Sequence, residues 1–219
     1  MRKFNRIPID SPDCLKKTDE HSGETKQKIC TEKWKKRVAK FREGQIKNSP
    51  DFNWYGLDRE LRPLLVGISQ SHCAFCDCVF SHDDTEHCPI EHFYPKKKEP
   101  DKAFDWDNLF PICTICNTSK GAKFDTKLLK PDAPDYEFGD YFVFNYKTGE
   151  MEPNPSATPD QQKRAAKTIE IYNLKRKGLC RDRIEELKFY EGNIGTEANI
   201  DSYGHRDYIE RGIPNCAQR

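Results

Sequence analysis

Two cysteine pairs of identical spacing, Cys73-Ala74-Phe75-Cys76 and Cys113-Thr114-Ile115-Cys116, constrain this chain more than any other feature. Two intervening residues let both thiolates of a pair reach one tetrahedral ion, and the second pair completes four sulfur ligands for Zn²⁺. Four sulfurs leave no open coordination position, so such an ion is structural rather than catalytic. Cys78 and Cys88 stand close enough in sequence to substitute; the matched spacing selects Cys73 and Cys76. Cys14, Cys30, Cys180 and Cys216 read as ordinary small side chains. The start, Met1-Arg2-Lys3-Phe4-Asn5-Arg6, shows no apolar export segment, and no stretch approaches a membrane span. Ten cysteines in that setting point to reduced thiols, metal binding and a cytoplasmic location.

A metal staple matters because the core is modest. Of 219 residues, 35% are apolar and 33% charged, which suits one domain, or a small domain with helical additions. The net charge of +1 is unevenly spread. Residues 1–72 hold 16 Lys/Arg against 10 Asp/Glu, whereas residues 73–135 hold 8 against 12. The N-terminal part is the basic one, and the acidic centre suits a cation site better than bare phosphate binding. The expected division is a basic helical segment at 1–70, a four-cysteine core at 71–130, and a hairpin with helices at 131–219.

The flanks read as mostly helical. Cys30, Trp34, Val38 and Phe41 fall on one face of a basic helix over 24–47. Leu61, Leu64, Leu65 and Ile68 mark a second helix over 57–69, with Pro63 in its first turn or kinking it. Residues 141–152 read as a hairpin turning at Gly149. Thr158-Pro159 opens a helix whose stripe is Ala165, Ile169 and Tyr172, and Arg181–Tyr190 forms another. Residues 192–219 lack periodicity and are expected to be mobile.

Between the cysteine pairs lie 36 residues, long for a simple zinc ribbon. Ile90-Glu91-His92-Phe93-Tyr94-Pro95 alternates like a strand and sets a carboxylate beside an imidazole. Neighbours on a regular strand face opposite sides; a twisted strand end would bring both to one site. Trp106-Asp107-Asn108-Leu109 leads into the second pair, and Cys116-Asn117-Thr118-Ser119-Lys120-Gly121 starts a short helix that presents Asn117 in its first turn. This ordered set over 73–124 resembles the HNH endonuclease family, the zinc-bearing branch of the ββα-metal nucleases. The resemblance implies an α+β fold: a two-stranded ribbon and a helix gripping a catalytic metal, stapled by zinc and flanked by helices.

It also implies roles. His92 is the general base that takes a proton from water, and Asn108 buttresses the loop that orients it. Glu91 and Asn117 are ligands of a catalytic Mg²⁺ or Mn²⁺, and Lys120 contacts phosphate. Glu91 stands where the family often has Asp, and its extra methylene allows a bridging water. Asn117 stands where the family name has its last His. The remaining histidines, His21, His72, His82, His87 and His205, read as structural. The Lys96-Lys97-Lys98 run reads as a solvated loop, with phosphate contact as its alternative.

More narrowly, the motif string is similar to the HNH subunit of Septu-type antiphage defence systems, also found beside retrons. That subfamily implies a partner ATPase of the ABC/SMC-like class; this chain contains no G-x4-G-K-[ST] pattern, so any ATPase activity is expected to be supplied in trans. The expected activity is hydrolysis of phosphodiester bonds, with DNA favoured as substrate. Alternatives are an RNase acting on tRNA or other RNA, and a non-catalytic zinc module. The basic helix is expected to dock a partner through Trp34 and Phe41, with packing on the core as its alternative.

Overall fold

The computed structural model describes residues 1–6, 10–81, 87–193 and 199–216. His82 and the side chain of Cys216 lie outside the described residues. Helix α1 (Asp13–Lys16) leads to α2 (Lys26–Arg42), whose first turn is capped by the Thr25 hydroxyl accepting from the Lys28 amide. Helix α3 (Asp58–Ile68) holds Pro63 in its second turn rather than its first. Trp34 and Val38 of α2 pack with Leu61 and Leu65 of α3 against Phe104, Trp106 and Leu109.

The centre is a ββα unit. Strand β1 (Ile90–His92) pairs antiparallel with β2 (Leu109–Pro111), placing Glu91 opposite Phe110 and His92 opposite Leu109. Two 3₁₀ turns, Pro100–Lys102 and Trp106–Asn108, fill the connection. Helix α4 (Thr114–Lys120) follows, starting earlier than its sequence suggests because Cys113 serves as N-cap. Gly121, at φ +50°, ends it.

Strands β3 (Phe142–Asn145) and β4 (Glu150–Pro153) follow the short helix α5 (Phe138–Tyr141). The hairpin turn demands glycine at 149: φ is +71°, and a Cβ there would lie 2.0 Å from the Cys180 carbonyl oxygen. Helix α6 (Pro159–Tyr172) has the expected Thr158 cap, closed reciprocally by Gln161. Helix α7 (Lys177–Gly192) is longer than its apolar stripe suggests. Its buried Arg183 donates to the carbonyls of Gly149 and Leu174, tying hairpin to helix.

The expected mobile tail is in part a helix, α8 (Arg206–Cys216), anchored on the first cysteine knuckle. Arg206 forms a buried ion pair with Asp77 at 2.7 Å, and His205 Nδ1 donates to the Cys76 carbonyl oxygen at 2.9 Å. Against that oxygen Nδ1 must carry the proton. Tyr208 and Ile209 complete a small apolar cluster with Leu187 and Tyr203. The missing periodicity is explained by this anchoring: α8 is held by ion pairs and aromatic contacts as much as by an apolar stripe.

Candidate active site

The four sulfurs of Cys73, Cys76, Cys113 and Cys116 all lie within 4.8 Å of one another, with Cys76 and Cys113 3.7 Å apart. Tetrahedral Zn–S bonds of about 2.3 Å separate sulfurs by about 3.8 Å, so the cluster fits a structural zinc. Hydrogen bonding with Cys113 and Cys116 holds the Cys76 thiol well below its ordinary pKa, and contacts with Cys116 and Cys73 push Cys113 down to about 4. Burial pushes Cys73 up and the contact with Cys113 pushes Cys116 up, so the shifts divide the four thiols two and two. Cys78 hydrogen-bonds to this group without joining the four. Arg176 donates to the Cys116 sulfur at 3.5 Å, offsetting the negative charge that four thiolates leave on a bound dication. Phe75 of the knuckle stacks on Tyr172 of α6 at 3.8 Å between centroids.

The knuckles aim the ββα unit. The Ala74 amide donates to the Pro111 carbonyl at the end of β2, and the Cys113 sulfur accepts from the Cys116 amide at the start of α4. Lys120, at the far end of α4, crosses to β1. Its ammonium pairs with Glu91 and donates to the His92 carbonyl oxygen at 3.0 Å. Lys120 is 0% exposed, so it has no route to a phosphate in this conformation; its expected phosphate contact is replaced by a strand-to-helix tether. Burial raises the pKa of Glu91, and the Lys120 charge opposes that.

Glu91 and His92 obey the strand rule. Glu91 turns toward α4, whereas His92 turns toward the N-terminal segment. His92 is 3% exposed. Its Nε2 lies 2.9 Å from the Ala103 carbonyl oxygen, an acceptor only, so Nε2 carries the proton and Nδ1 keeps its lone pair. Burial, reinforced by the nearby Lys96 charge, lowers the His92 pKa well below its ordinary value. A neutral imidazole with a lone pair at Nδ1 has the protonation state that general-base chemistry near pH 7 requires.

Asn108 fixes the loop that supplies Ala103. It is 1% exposed. Its Oδ1 accepts from the Tyr94 amide at 2.7 Å, while its Nδ2 donates to the Lys102 and Tyr94 carbonyls at 2.8 and 3.2 Å. Asn117 sits half-buried on α4, one turn before Lys120. Its side chain makes no hydrogen bond among the described residues. The two side chains expected to hold a catalytic ion are thus a carboxylate already paired with a lysine, and one amide. Such a pair does not amount to a closed cage, and an ion held by it would keep most of its waters.

Three neighbours of His92 escaped sequence reasoning. Trp54 stacks on the imidazole at 5.2 Å and 24°, and Phe52 meets it edge-on at 4.8 Å. Both come from an irregular stretch some forty residues earlier, which carries no motif. Lys96 sends its Nζ to 3.4 Å from His92 Nδ1, apart from the solvated run it was grouped with. Trp34, the expected docking anchor, is 1% exposed and donates from Nε1 to the Lys96 carbonyl at 2.7 Å. The basic helix thus packs on the core, the alternative reading of it. His72 bonds to the Gln70 and Tyr203 carbonyls, and with His205 it acts on backbone alone.

A four-cysteine cluster able to hold a metal, beside an antiparallel strand pair and a helix, is the arrangement of a ββα-metal fold. Residues 73–123 match the family model described as HNH endonuclease. Over that segment the chain is similar to HNH endonucleases. Septu protein PtuB of Bacillus thuringiensis is 31% identical over 90 residues, which cover 39% of this chain and 34% of that protein. The chain thus matches about a third of the length of that relative. Among the described residues no helix is long and apolar enough to cross a membrane.

Proposed function

We propose that this protein is a metal-dependent HNH endonuclease that hydrolyses phosphodiester bonds in nucleic acid, with DNA as the favoured substrate. The observation that carries this reading is the polarity of His92: Nε2–H is committed to Ala103, which leaves Nδ1 as the base. Water loses its proton to Nδ1 as its oxygen bonds to phosphorus and the bond to the leaving oxygen breaks. The imidazolium that forms is stabilised by the Ala103 carbonyl through Nε2–H. Asn108 is a positioning residue, holding the loop that carries Ala103. Glu91 and Asn117 would hold Mg²⁺ or Mn²⁺, which supplies charge stabilisation at the phosphate when bound. Lys120 fixes Glu91 and the His92 backbone to α4.

The similarity to a Septu protein supports a place in an antiphage defence complex, beside an ATPase partner of the ABC/SMC-like class. The test joins native co-purification to cleavage assays on matched DNA and RNA. His92→Ala should lower cleavage by about 10² to 10⁴ while zinc content and fold persist. Wild-type cleavage by His92→Ala would remove the base assignment. Cleavage confined to RNA would move the substrate, and binding without cleavage in any divalent ion would leave a zinc-stapled binding module.

A further inference from the structure

Lys96 differs from the two lysines beside it. Lys97 and Lys98 are exposed, whereas Lys96 is partly buried with its ammonium turned inward. Its Nζ lies 3.4 Å from His92 Nδ1 and 4.9 Å from the centroid of the Phe52 ring. The turn that carries it is pinned from both sides. The Lys98 and Glu99 amides donate to the Pro95 carbonyl, Trp34 holds the Lys96 carbonyl, and Arg42 donates to the Lys97 carbonyl at 2.6 Å. The backbone is therefore fixed, and the four-carbon side chain is what can move.

The position is chemically pointed. Nδ1 is the one imidazole nitrogen with a lone pair, and the Lys96 ammonium stands over it. Phe52 and Trp54 cover other sides of the ring. A neutral nitrogen at 3.4 Å is a weak acceptor for an ammonium. A phosphate oxygen bearing negative charge is a much stronger one. An arriving phosphodiester therefore draws the ammonium away from His92, and the same movement exposes the lone pair to water.

We propose that Lys96 is a further catalytic residue, whose ammonium caps His92 Nδ1 in the free protein and transfers to a non-bridging oxygen of the scissile phosphate in the complex. This rests on the nuclease reading and deepens it. Lys96 keeps all its protons throughout. The proton of water goes to Nδ1, the new bond joins water oxygen to phosphorus, the old bond to the leaving oxygen breaks, and solvent protonates that oxygen. Lys96 contributes charge stabilisation on the phosphate and couples exposure of the base to the presence of substrate.

The test uses the full zinc-loaded chain in two arms. In the first, histidine is labelled with ¹⁵N and a thymidine dinucleotide is titrated in without Mg²⁺ or Mn²⁺. The His92 Nδ1 resonance should shift in the wild type and in Lys96→Arg, and stay in place in Lys96→Met. An unmoved wild-type resonance, or an equal shift in Lys96→Met, overturns the proposal even if the chain cleaves nothing. In the second, Lys96→Met should lose about 10²-fold in kcat with KM changed far less, Lys96→Arg should regain part of it, and ethylammonium should partly rescue Lys96→Ala. A Lys96→Met variant with wild-type kcat, beside an inactive His92→Ala, overturns the role of Lys96 and leaves the nuclease reading standing. Zinc content and circular dichroism of each variant verify the fold.

Discussion

Lys120 and Glu91 are a buried ion pair, 0% and 5% exposed, at the junction of β1 and α4. Taking both charges out of water costs several kcal/mol each, which their mutual attraction and the Lys120 bond to the His92 carbonyl offset. Removing one partner strands the other. Lys120→Met should therefore destabilise the zinc-loaded protein by about 3–5 kcal/mol, and Glu91→Gln added to it should recover part of that loss. Urea unfolding of the two variants measures this, and a Lys120→Met protein as stable as the wild type would remove the pair as a structural element. The buried imidazoles set a pH dependence of opposite origin. Burial lowers the pKa of both His92 and His205. In the unfolded chain each binds a proton near its ordinary value of about 6.5, whereas the folded state resists it. The stability is fully present above that value and is lost progressively as the pH falls below it. The urea midpoint should be level from about pH 8 to 7 and decline below about 6.5; a rise on acidification through that window would contradict the buried neutral assignment.

At the scale of elements, the second knuckle joins zinc chemistry to helix geometry. Cys113 contributes a sulfur to the cluster and is also the N-cap of α4, the helix that delivers Asn117 and Lys120. Cys113→Ser keeps a capping oxygen but removes a thiolate ligand. Its expected effect is zinc content well below one per chain, with loss of the buried Glu91–Lys120 contact and of cleavage together. Metal analysis and near-UV circular dichroism check this; a folded, zinc-replete Cys113→Ser protein would mean that Cys78 can complete the cluster in its place. The order of the ββα motif, and the helix cap at Thr158 with Gln161, were legible in the chain because each depends on short-range spacing. The lengths of α4 and α7 were less so, since a sulfur cap starts α4 early and α7 begins ahead of its stripe with Leu179 and Cys180 buried.

At the scale of the molecule, the N-terminal segment belongs to the site. Phe52 and Trp54 wall the imidazole, Trp34 holds the turn at Lys96, and Arg6 donates to the Trp106 and Leu109 carbonyls where the chain enters β2. Deleting residues 1–48 removes Arg6 and Trp34 and opens the apolar cluster around Phe104 and Trp106. The expected outcome is a poorly soluble product with lowered cleavage, not a folded core that has merely lost a docking arm. Solubility, zinc content and cleavage of the truncated chain measure it, and a soluble, zinc-loaded, active truncation would show that the segment is dispensable to the site.

What the sequence determined is what short spacing can encode. Two matched C-x2-C pairs specify a four-sulfur cluster able to hold an ion, the Glu91-His92 pair followed by Asn108 and Asn117 marks the segment that folds as the ββα unit, and 219 residues with few apolar side chains call for a metal staple. The tertiary structure decided what depends on distant segments meeting. It turned Lys120 inward onto Glu91, brought Trp54 and Phe52 across to His92, and folded the aperiodic tail into α8 against Asp77. It also separated Lys96 from Lys97 and Lys98. A lysine run reads as one solvated charge block, but a pinned turn can point a single member at a buried imidazole. Local propensity and spacing carry no information about that direction, because it is set by packing between segments forty or more residues apart.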